Sequence, residues 1–466
     1  MIFGFLKNGW FRRPSTAAGA AQELALHARD ESNQWLTHGV HLIKTGELSA
    51  AARAFRESLA ADADNAVALS NLASITMDDD PRAALGHLLK AEALAPRDAN
   101  IQINLGGLMM TLGRLGEARR HYLRALEFDP ANLAVRSNLA TLDLAEGRYS
   151  AASWDAFRAR WKHESFSKHC VLPGLRYLDD EVLPRERVLV HLEQGLGDEI
   201  CFAGCVDELR AHAAAVAMTC EPRLRTLFTT ALPAVTVIAR EGDWEARARA
   251  FAPQSQVYAG DLPYWLRRGS GSFPVRGAYL RADAARAAHW RARLRALGGG
   301  LKIGISWRGG LQHTGRHSRS IPLWDWAPLL GLPGVQWIDL QYGEHRAELR
   351  AAQNAGVPIT RFDEAIADYD ETAALVSELD LVISVATAVV DLAGALGKPC
   401  WVLVPRLAMW KFGVDGPSTP WYPSLRLFRK SGDETWGRVM GRVAARLQGA
   451  GLLAPPQAEA LAEDCA

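Results

Sequence analysis

The chain of 466 residues lacks long apolar runs and lacks an excess of either charge. No stretch approaches the roughly 20 apolar residues that a membrane-spanning helix needs. Its 53 basic and 52 acidic residues leave a formal net charge of +1, so no overall field attracts nucleic acid or an anionic membrane. We therefore expect no transmembrane segment and no nucleic-acid partner.

Cysteine is also scarce, and its six residues show no paired metal-binding spacing. Only Cys201 and Cys205 lie one helical turn apart, and neither a suitably placed histidine nor a second cysteine pair accompanies them. We interpret both as small buried apolar residues and predict no metal site. At the start of the chain the basic residues follow a short apolar piece, the reverse of a secretory signal, so we expect a cytoplasmic protein.

The length exceeds what one hydrophobic core supports, so two or three domains are expected. The N-terminal third repeats with a period of about 34 residues, as in the tetratricopeptide (TPR) pattern of paired helices. Gly39 and Phe55 recur in register as Gly106 and Tyr122, and a shortened copy lies between them. Small residues let helices approach closely, and aromatic rings fill the space between them. Three or four copies form a superhelix with a concave face; the alternative is a generic helical bundle.

From residue 187 onward, short β-branched runs alternate with helical patterns. This alternation predicts parallel sheets covered by helices on both faces. The run Gly298-Gly299-Gly300 divides the series into two Rossmann-like halves, and a cleft would lie at the carboxyl ends of their strands. The fold class is therefore α plus α/β. The predicted segments are a flexible tail (1–31), repeat domain (32–165), linker (166–186), first half (187–297), second half (298–450) and C-terminal tail (451–466).

The first turn of the first half reads EQGLGD and lies between a strand and a helix. Gly195 and Gly197 permit a sharp turn and the close approach of a ligand to the backbone. Asp198, at the start of the helix, is placed to accept a proton from an attacking hydroxyl group. The competing role for Asp198 is an N-cap that satisfies only the helix amides.

The corresponding turn of the second half begins at Ser306 and is followed by Arg308, Arg316, Arg319 and Ser320. Guanidinium groups form bidentate hydrogen bonds with phosphate. Three arginines beyond the end of a strand therefore favour a phosphate site over a solvated basic loop.

A third turn follows the strand that ends at Val385 and carries Thr387 at the start of a small-residue helix. Free backbone N–H groups at such a helix start bind anions, and Thr387 adds a hydroxyl. Packing alone explains the small residues but not the pairing of Ser384 with Thr387. Farther on, the aromatic ring of Trp421 could stack on a nucleobase or sugar, and buried packing is the alternative for it.

Several motifs downstream of the repeats together resemble the bacterial TPR-containing glycosyltransferases related to the ADP-heptose:lipopolysaccharide heptosyltransferases. They are EQGLGD, GISWRGG, RSIPL, LAGALGKPCWVL and PWYPSLRLFR. In layout the chain is similar to the TPR flagellin glycosyltransferases, over roughly Ser32 to Gln448. The resemblance implies a GT-B fold with an acceptor-facing first half and a nucleotide-sugar-binding second half. It also implies sugar transfer without a metal or a cofactor, the nucleotide-sugar being a cosubstrate.

By this resemblance, Asp198 matches the residue proposed as the catalytic base of the heptosyltransferases. Four further residues match positions near the donor phosphates: Ser306, Arg308, Arg319 and Thr387. The full set that we predict to bind the donor is Gly195, Gly197, Ser306, Arg308, Arg319, Ser320, Gln341, Thr387, Ala388 and Trp421.

One departure from the family pattern concerns the third turn. The related sequences carry a polar residue just before the threonine and a histidine four residues after it, where this chain has Ala386 and Asp391. An ionised aspartate would repel the donor phosphates. Three explanations follow: Asp391 points away and serves packing or capping, the donor differs, or the activity is weak.

The sequence thus predicts a metal-independent GT-B glycosyltransferase. It would move a sugar from a nucleotide-sugar to Ser/Thr hydroxyls of a protein held on the concave TPR face, with flagellin as the candidate acceptor. Two alternatives stay open. One is transfer to a glycan or a lipid-linked sugar, and the other is a TPR adaptor or chaperone with a degenerate transferase domain.

Overall fold

The computed structural model describes residues 17–162, 171–179, 182–183, 185–275, 277–309, 319–406, 408–432 and 434–449. The chain forms two compact units, Met1–Val135 and Arg136–Ala466. None of the described helices is long and apolar enough to cross a membrane. The calls for Arg316 and for the C-terminal tail concern positions outside the described residues.

The first unit consists of helices that pack in consecutive pairs, which confirms the predicted helical repeat. Asn65, Asp80 and Asp98 each accept hydrogen bonds from backbone amides at a helix start, which explains where three of the helices begin. The helices are α1 (Ala17–Thr45), α2 (Leu48–Ala61), α3 (Ala66–Thr76), α4 (Pro81–Leu94), α5 (Ala99–Thr111) and α6 (Leu115–Phe128), and α7 (Leu133–Ala145) crosses the border between the units.

Two glycines set the distance between paired helices. A Cβ atom at Gly39 would overlap the ring of Phe55, and one at Gly106 would overlap the ring of Tyr122. Both rings are buried. The repeated glycine and aromatic residue therefore form the contact that the sequence periodicity predicts.

The second unit contains two parallel sheets, as the alternating pattern predicts. The first sheet has the strand order β3-β2-β1-β4. Its strands are β1 (Arg187–His191), β2 (Ala215–Cys220), β3 (Thr236–Ala239) and β4 (Ser255–Tyr258). The helices of this half are α8 (Ala151–Arg158), α9 (Leu196–Leu209), α10 (Arg225–Ala231), α11 (Trp244–Ala250), α12 (Pro263–Leu266) and α13 (Ala284–Ala296).

The second sheet has the order β10-β9-β8-β5-β6-β7. Its strands are β5 (Leu301–Ser306), β6 (Val335–Asp339), β7 (Ile359–Arg361), β8 (Leu381–Val385), β9 (Cys400–Val404) and β10 (Leu425–Arg429). Its helices are α14 (Ala327–Leu330), α15 (Arg346–Asn354), α16 (Asp363–Ala367), α17 (Tyr369–Glu378), α18 (Ala388–Ala395) and α19 (Trp436–Gly449). The strand order reverses next to β1 and between β5 and β8, which places crevices at the turns that follow these strands.

Two observed borders differ from the predicted segments. Helix α1 begins at Ala17, before the predicted start of the repeat domain at Ser32. Helix α8, assigned from sequence to the repeats, belongs to the second unit, because Trp154 and Phe157 lie in the hydrophobic core of that unit. Part of the predicted linker is packed as well: Tyr177 forms a β-bridge with Gln256.

The glycine contact predicts opposite effects for two neighbouring substitutions. Gly106→Ala should lower the free energy of unfolding by about 1–3 kcal/mol, because the added methyl group overpacks the contact with Tyr122. Gly107→Ala should raise it by about 0.5–1 kcal/mol, because a Cβ there would meet no atom of the described residues within 4 Å and alanine favours a helix. Chemical unfolding of the full-length chain, followed by circular dichroism, measures both. Equal effects of the two substitutions would contradict the packing.

Candidate active site

The turn after β1 places Asp198 at the cleft. Gln194 adopts a left-handed backbone with a φ of 68°, and Gly195 is the N-cap of α9. Asp198 lies in the first turn of α9, and its side chain is 24% exposed. Since Gly195 occupies the capping position, Asp198 does not serve as the N-cap, and its Oδ1 lies 3.7 Å from Nζ of Lys411 in the second half.

The two glycines of this turn have different surroundings. A Cβ at Gly195 would meet no described atom within 4 Å. At Gly197 it would overlap a carboxylate oxygen of Asp391 and contact the backbone of Ala388. The missing side chain of Gly197 thus makes room for α18 of the opposite half, and the binding of the donor by Gly197 stays a prediction.

Asp391 is the buried half of an ion pair. Its two carboxylate oxygens lie 2.7 and 2.9 Å from Nζ of Lys411, and the hydroxyl of Tyr422 donates to Oδ1 at 3.1 Å. Asp391 and Lys411 are 3% and 2% exposed. Of the three explanations for this departure from the family pattern, the contacts favour a packing role, because Asp391 is bound to protein groups.

The same ammonium group also faces Asp198. Its Nζ lies 3.7 Å from Oδ1 of Asp198, too far for a hydrogen bond but close enough for strong attraction. Burial raises the pKa of Asp391 to about 6, and Lys411 opposes that rise. Burial alone would lower the pKa of Lys411, but the negative charge of Asp391 outweighs that effect and holds the pKa above its usual value. Each group thus favours the charged form of the other.

Gln341 organises the turn that follows β5. Its side-chain oxygen accepts hydrogen bonds from the hydroxyl of Ser306 at 3.1 Å and from the backbone amides of Trp307 and Arg308 at 3.0 and 2.8 Å. Ser306 and Gln341 are 1% and 4% exposed. Their polar atoms are thus used within the protein, and they support the turn rather than face the cleft.

The other polar residues of this turn contact different parts of the protein. Arg308 forms an ion pair with Glu348 of α15 at 3.0 Å and also donates to the carbonyl oxygen of Glu344. Ser320 accepts a hydrogen bond from the amide of Gly309 at 3.0 Å. Arg319 reaches the turn before α18, where it lies 3.4 Å from the carbonyl oxygen of Ala386. Of Arg308 and Arg319, the two described arginines of this turn, Arg319 is therefore the one that lies next to the third turn.

The third turn presents the start of α18. Thr387 is the N-cap of this helix, but its side chain makes no capping hydrogen bond. Its hydroxyl instead lies 3.2 Å from that of Ser384, which donates to the carbonyl oxygen of Val385. Thr387 and Ala388 are half-buried. The Thr387 side chain therefore does not cap the helix, and anion binding by the backbone amides at this helix start stays a prediction.

Trp421 lies in an aromatic cluster. Its ring makes edge-to-face contacts with Trp154, Phe202, Phe273 and Trp410, at centroid distances of 5.1–6.5 Å. These four rings join α8 to both halves. Trp421 is half-buried, and its indole N–H has no hydrogen-bond partner among the described residues. Its binding of the donor therefore stays a prediction beside the packing role.

A second buried charge cluster supports the EQGLGD turn. Oε1 of Glu193 accepts hydrogen bonds from Arg160 and, at 2.9 Å, from the amide of Gly260. Arg160 also donates to Asp261 at 2.6 Å. Oε2 of Glu193 is buried and has no hydrogen-bond partner among the described residues. Burial raises the pKa of Glu193 to about 7, which Arg160 opposes.

Sequence reasoning missed the roles of Lys411, Tyr422 and Arg160. One signal was present, since an aspartate within the apolar helix α18 requires a buried partner. Nothing in the sequence indicated which basic residue supplies it. In the part of the chain that the structure describes, no group of three or more His, Cys, Asp or Glu side chains is arranged to hold a metal ion.

A helical repeat followed by two facing parallel-sheet halves defines a TPR protein with a glycosyltransferase-like fold of the GT-B type. The chain is similar to Protein FlbA from Caulobacter vibrioides, with 31% identity over 433 residues. The match covers 89% of this chain but spans only 66% of the length of that relative. No protein-family model matches the chain.

Two solved structures are similar at low identity. A mutant of the O-GlcNAc transferase from Thermobaculum terrenum is 15% identical, with a TM-score of 0.34 over 91% of this chain and 92% of that chain. The ADP-heptose lipopolysaccharide heptosyltransferase II from E. coli is 14% identical, with a TM-score of 0.39 over 57% of this chain and 99% of that one. We draw no functional conclusion from similarity at this level.

The buried pair makes a prediction for stability. Asp391→Asn and Lys411→Met should each lower the free energy of unfolding by about 3–5 kcal/mol, because each leaves a buried charge without its partner. The double variant should lose much less. Asp391→His, which restores the family residue, should also destabilise the protein, because it removes the negative charge that faces Lys411. Chemical unfolding of the four variants tests this, and additive losses in the double variant would contradict a direct pair.

Glu193 makes a prediction for pH. A carboxyl group whose pKa is higher in the folded state binds its proton more tightly there, so its contribution to stability falls as the pH rises from about 4.5 to about 7. Glu193→Gln removes this loss. Its stability relative to the parent should therefore rise by about 1–3 kcal/mol between pH 4.5 and pH 8. Urea unfolding at both pH values measures the difference, and a difference independent of pH would be contrary evidence.

Proposed function

We propose that this chain is a glycosyltransferase that moves a sugar from a nucleotide-sugar donor to a hydroxyl group of a protein. The observation that carries the proposal is the position of Asp198, a partly exposed carboxylate at the cleft between the two halves. The start of α18 lies against the turn that carries Asp198, because Gly197 of α9 packs against Ala388 and Asp391. A base and an anion-binding helix start thus adjoin one cleft.

In the proposed reaction, Asp198 accepts the proton of the acceptor hydroxyl. The bond from that oxygen to the anomeric carbon forms while the bond from the anomeric carbon to the donor phosphate breaks, and the nucleotide leaves with the electron pair. Arg319 and the backbone amides at Thr387 and Ala388 stabilise the negative charge on the leaving phosphate. We assign no step to a metal ion, and Ser306 and Gln341 hold the adjoining turn.

The repeat helices favour a protein as acceptor, since a superhelix of helix pairs presents an extended surface that a small acceptor does not need. Flagellin is the acceptor that we propose to test first, with serine or threonine as the modified residue and the cytoplasm as the compartment. Transfer to a glycan or a lipid-linked sugar is the second candidate. The adaptor alternative rested on Asp391 and loses that support, because Lys411 neutralises its charge.

Substitution of the proposed base tests the reaction. Asp198→Asn should lower the turnover number by about 10²–10⁴-fold, because the amide cannot accept the hydroxyl proton. Asp207→Asn is the matched control, since Asp207 lies in the same helix and pairs with Arg210 at the surface. We expect Asp207→Asn to retain activity. Release of nucleotide from UDP-, GDP-, ADP- and CMP-sugars, with intact mass spectrometry of the acceptor, measures both.

The outcomes separate the parts of the proposal. Transfer that Asp198→Asn leaves unchanged removes Asp198 as the base. Transfer to a glycan but never to a protein favours the second candidate. Lack of turnover and of binding with every donor would contradict the enzyme assignment, because a donor that binds the folded chain raises its apparent stability.

A further inference from the structure

The ammonium group of Lys411 lies between carboxylates from the two halves. It is 2.7 and 2.9 Å from the oxygens of Asp391 on α18 and 3.7 Å from Oδ1 of Asp198 on α9. Lys411 belongs to a short 3-10 helix, Trp410–Phe412, in the loop between β9 and β10. One cation from an irregular loop thus faces two helices that meet at the cleft.

The surroundings hold this arrangement in place. The backbone oxygen of Lys411 accepts a hydrogen bond from the hydroxyl of Thr419 at 2.5 Å. The hydroxyl of Tyr422 also donates a hydrogen bond to Oδ1 of Asp391 at 3.1 Å. Because Gly197 brings α18 against the turn of Asp198, the ammonium group and both carboxylates have little freedom to move apart.

Two neighbouring charges act on the carboxylate of Asp198 in opposite directions. The ammonium group of Lys411 attracts it, and the negative charge of Asp391 repels it. The other charged or titratable groups that act on this cluster are Arg319, whose positive charge interacts with Asp198, and the buried thiol of Cys201. Lys411 lies 3.7 Å from the carboxylate of Asp198 and 2.7 Å from that of Asp391, and it therefore acts on both.

We propose that Lys411 and Asp391 are positioning residues that together set the orientation and the ionisation of Asp198. Asp391 holds the ammonium group at a fixed place, and the ammonium group in turn attracts the carboxylate of Asp198. This inference rests on the proposed function only in taking Asp198 as the base. Its effect on the ionisation of Asp198 is a property of the protein without substrate.

The test follows the carboxyl group of Asp198 directly. Full-length protein labelled with carbon-13 at aspartate carboxyl groups is titrated by NMR, and the signal absent from Asp198→Asn identifies Asp198. In Lys411→Met the titration midpoint should rise by about one to three pH units, because the nearby cation is lost. In Asp391→Asn it should fall by about one pH unit, because the nearby anion is lost. Lys411→Arg keeps the charge and should leave the midpoint near that of the parent.

The opposite signs distinguish positioning from a structural role. A pair that only stabilises the fold would lower stability in both single variants without moving the Asp198 midpoint in opposite directions. If Lys411→Met does not fold, the other two variants decide. A lower Asp198 midpoint in Asp391→Asn together with an unchanged midpoint in Lys411→Arg supports the proposal. An unchanged Asp198 midpoint in Asp391→Asn overturns it.

Activity gives a second readout. The acidic limb of the pH–rate profile should move up in Lys411→Met and down in Asp391→Asn, following the NMR midpoints. Midpoints that move as expected in a chain that transfers no sugar would support the positioning pair and contradict the proposed function. Sugar transfer that depends on Asp198, with midpoints that do not move, would contradict the positioning pair alone.

Discussion

The buried contact between Lys411 and Asp391 is the interaction on which the geometry of the cleft depends. A carboxylate on the buried face of α18 is costly unless a cation meets it, and Lys411 meets it from the loop between β9 and β10. Gly197 allows α9 and α18 to approach until Asp198 shares the same cation. The relative position of the two halves at this point, and therefore of Asp198 and the start of α18, follows from that arrangement.

The sequence predicts the features that arise from local periodicity. Helix pairs follow from a repeat of small and aromatic residues, and parallel sheets follow from alternating apolar strands and helices. The position of Asp198 also follows, because a turn after the first strand of a parallel sheet lies at its crevice. The partner of Asp391 does not follow, since Lys411 lies in an irregular loop 20 residues away and nothing local specifies how that loop folds.

Polar residues near a crevice fall into two groups that sequence cannot separate. Thr387 and Arg319 adjoin the start of α18. Ser306 and Gln341 occupy an equivalent place in the pattern but bond to each other and to the backbone of their own turn. Trp421 contacts neighbouring rings that the sequence pattern does not identify. Whether a polar or aromatic residue faces outward depends on distant packing partners.

The packing of helix α8 determines where the repeat array can be exchanged for another. Its Trp154 donates a hydrogen bond to the backbone of Arg267 and packs against Trp410 and Trp421, while Arg160 beyond it binds Glu193. This helix is therefore a component of the second compact unit, although it continues the repeat pattern in sequence. Chimaeras that exchange repeat arrays should be joined before residue 136, where the compact unit begins, so that each new array inherits the native junction helix.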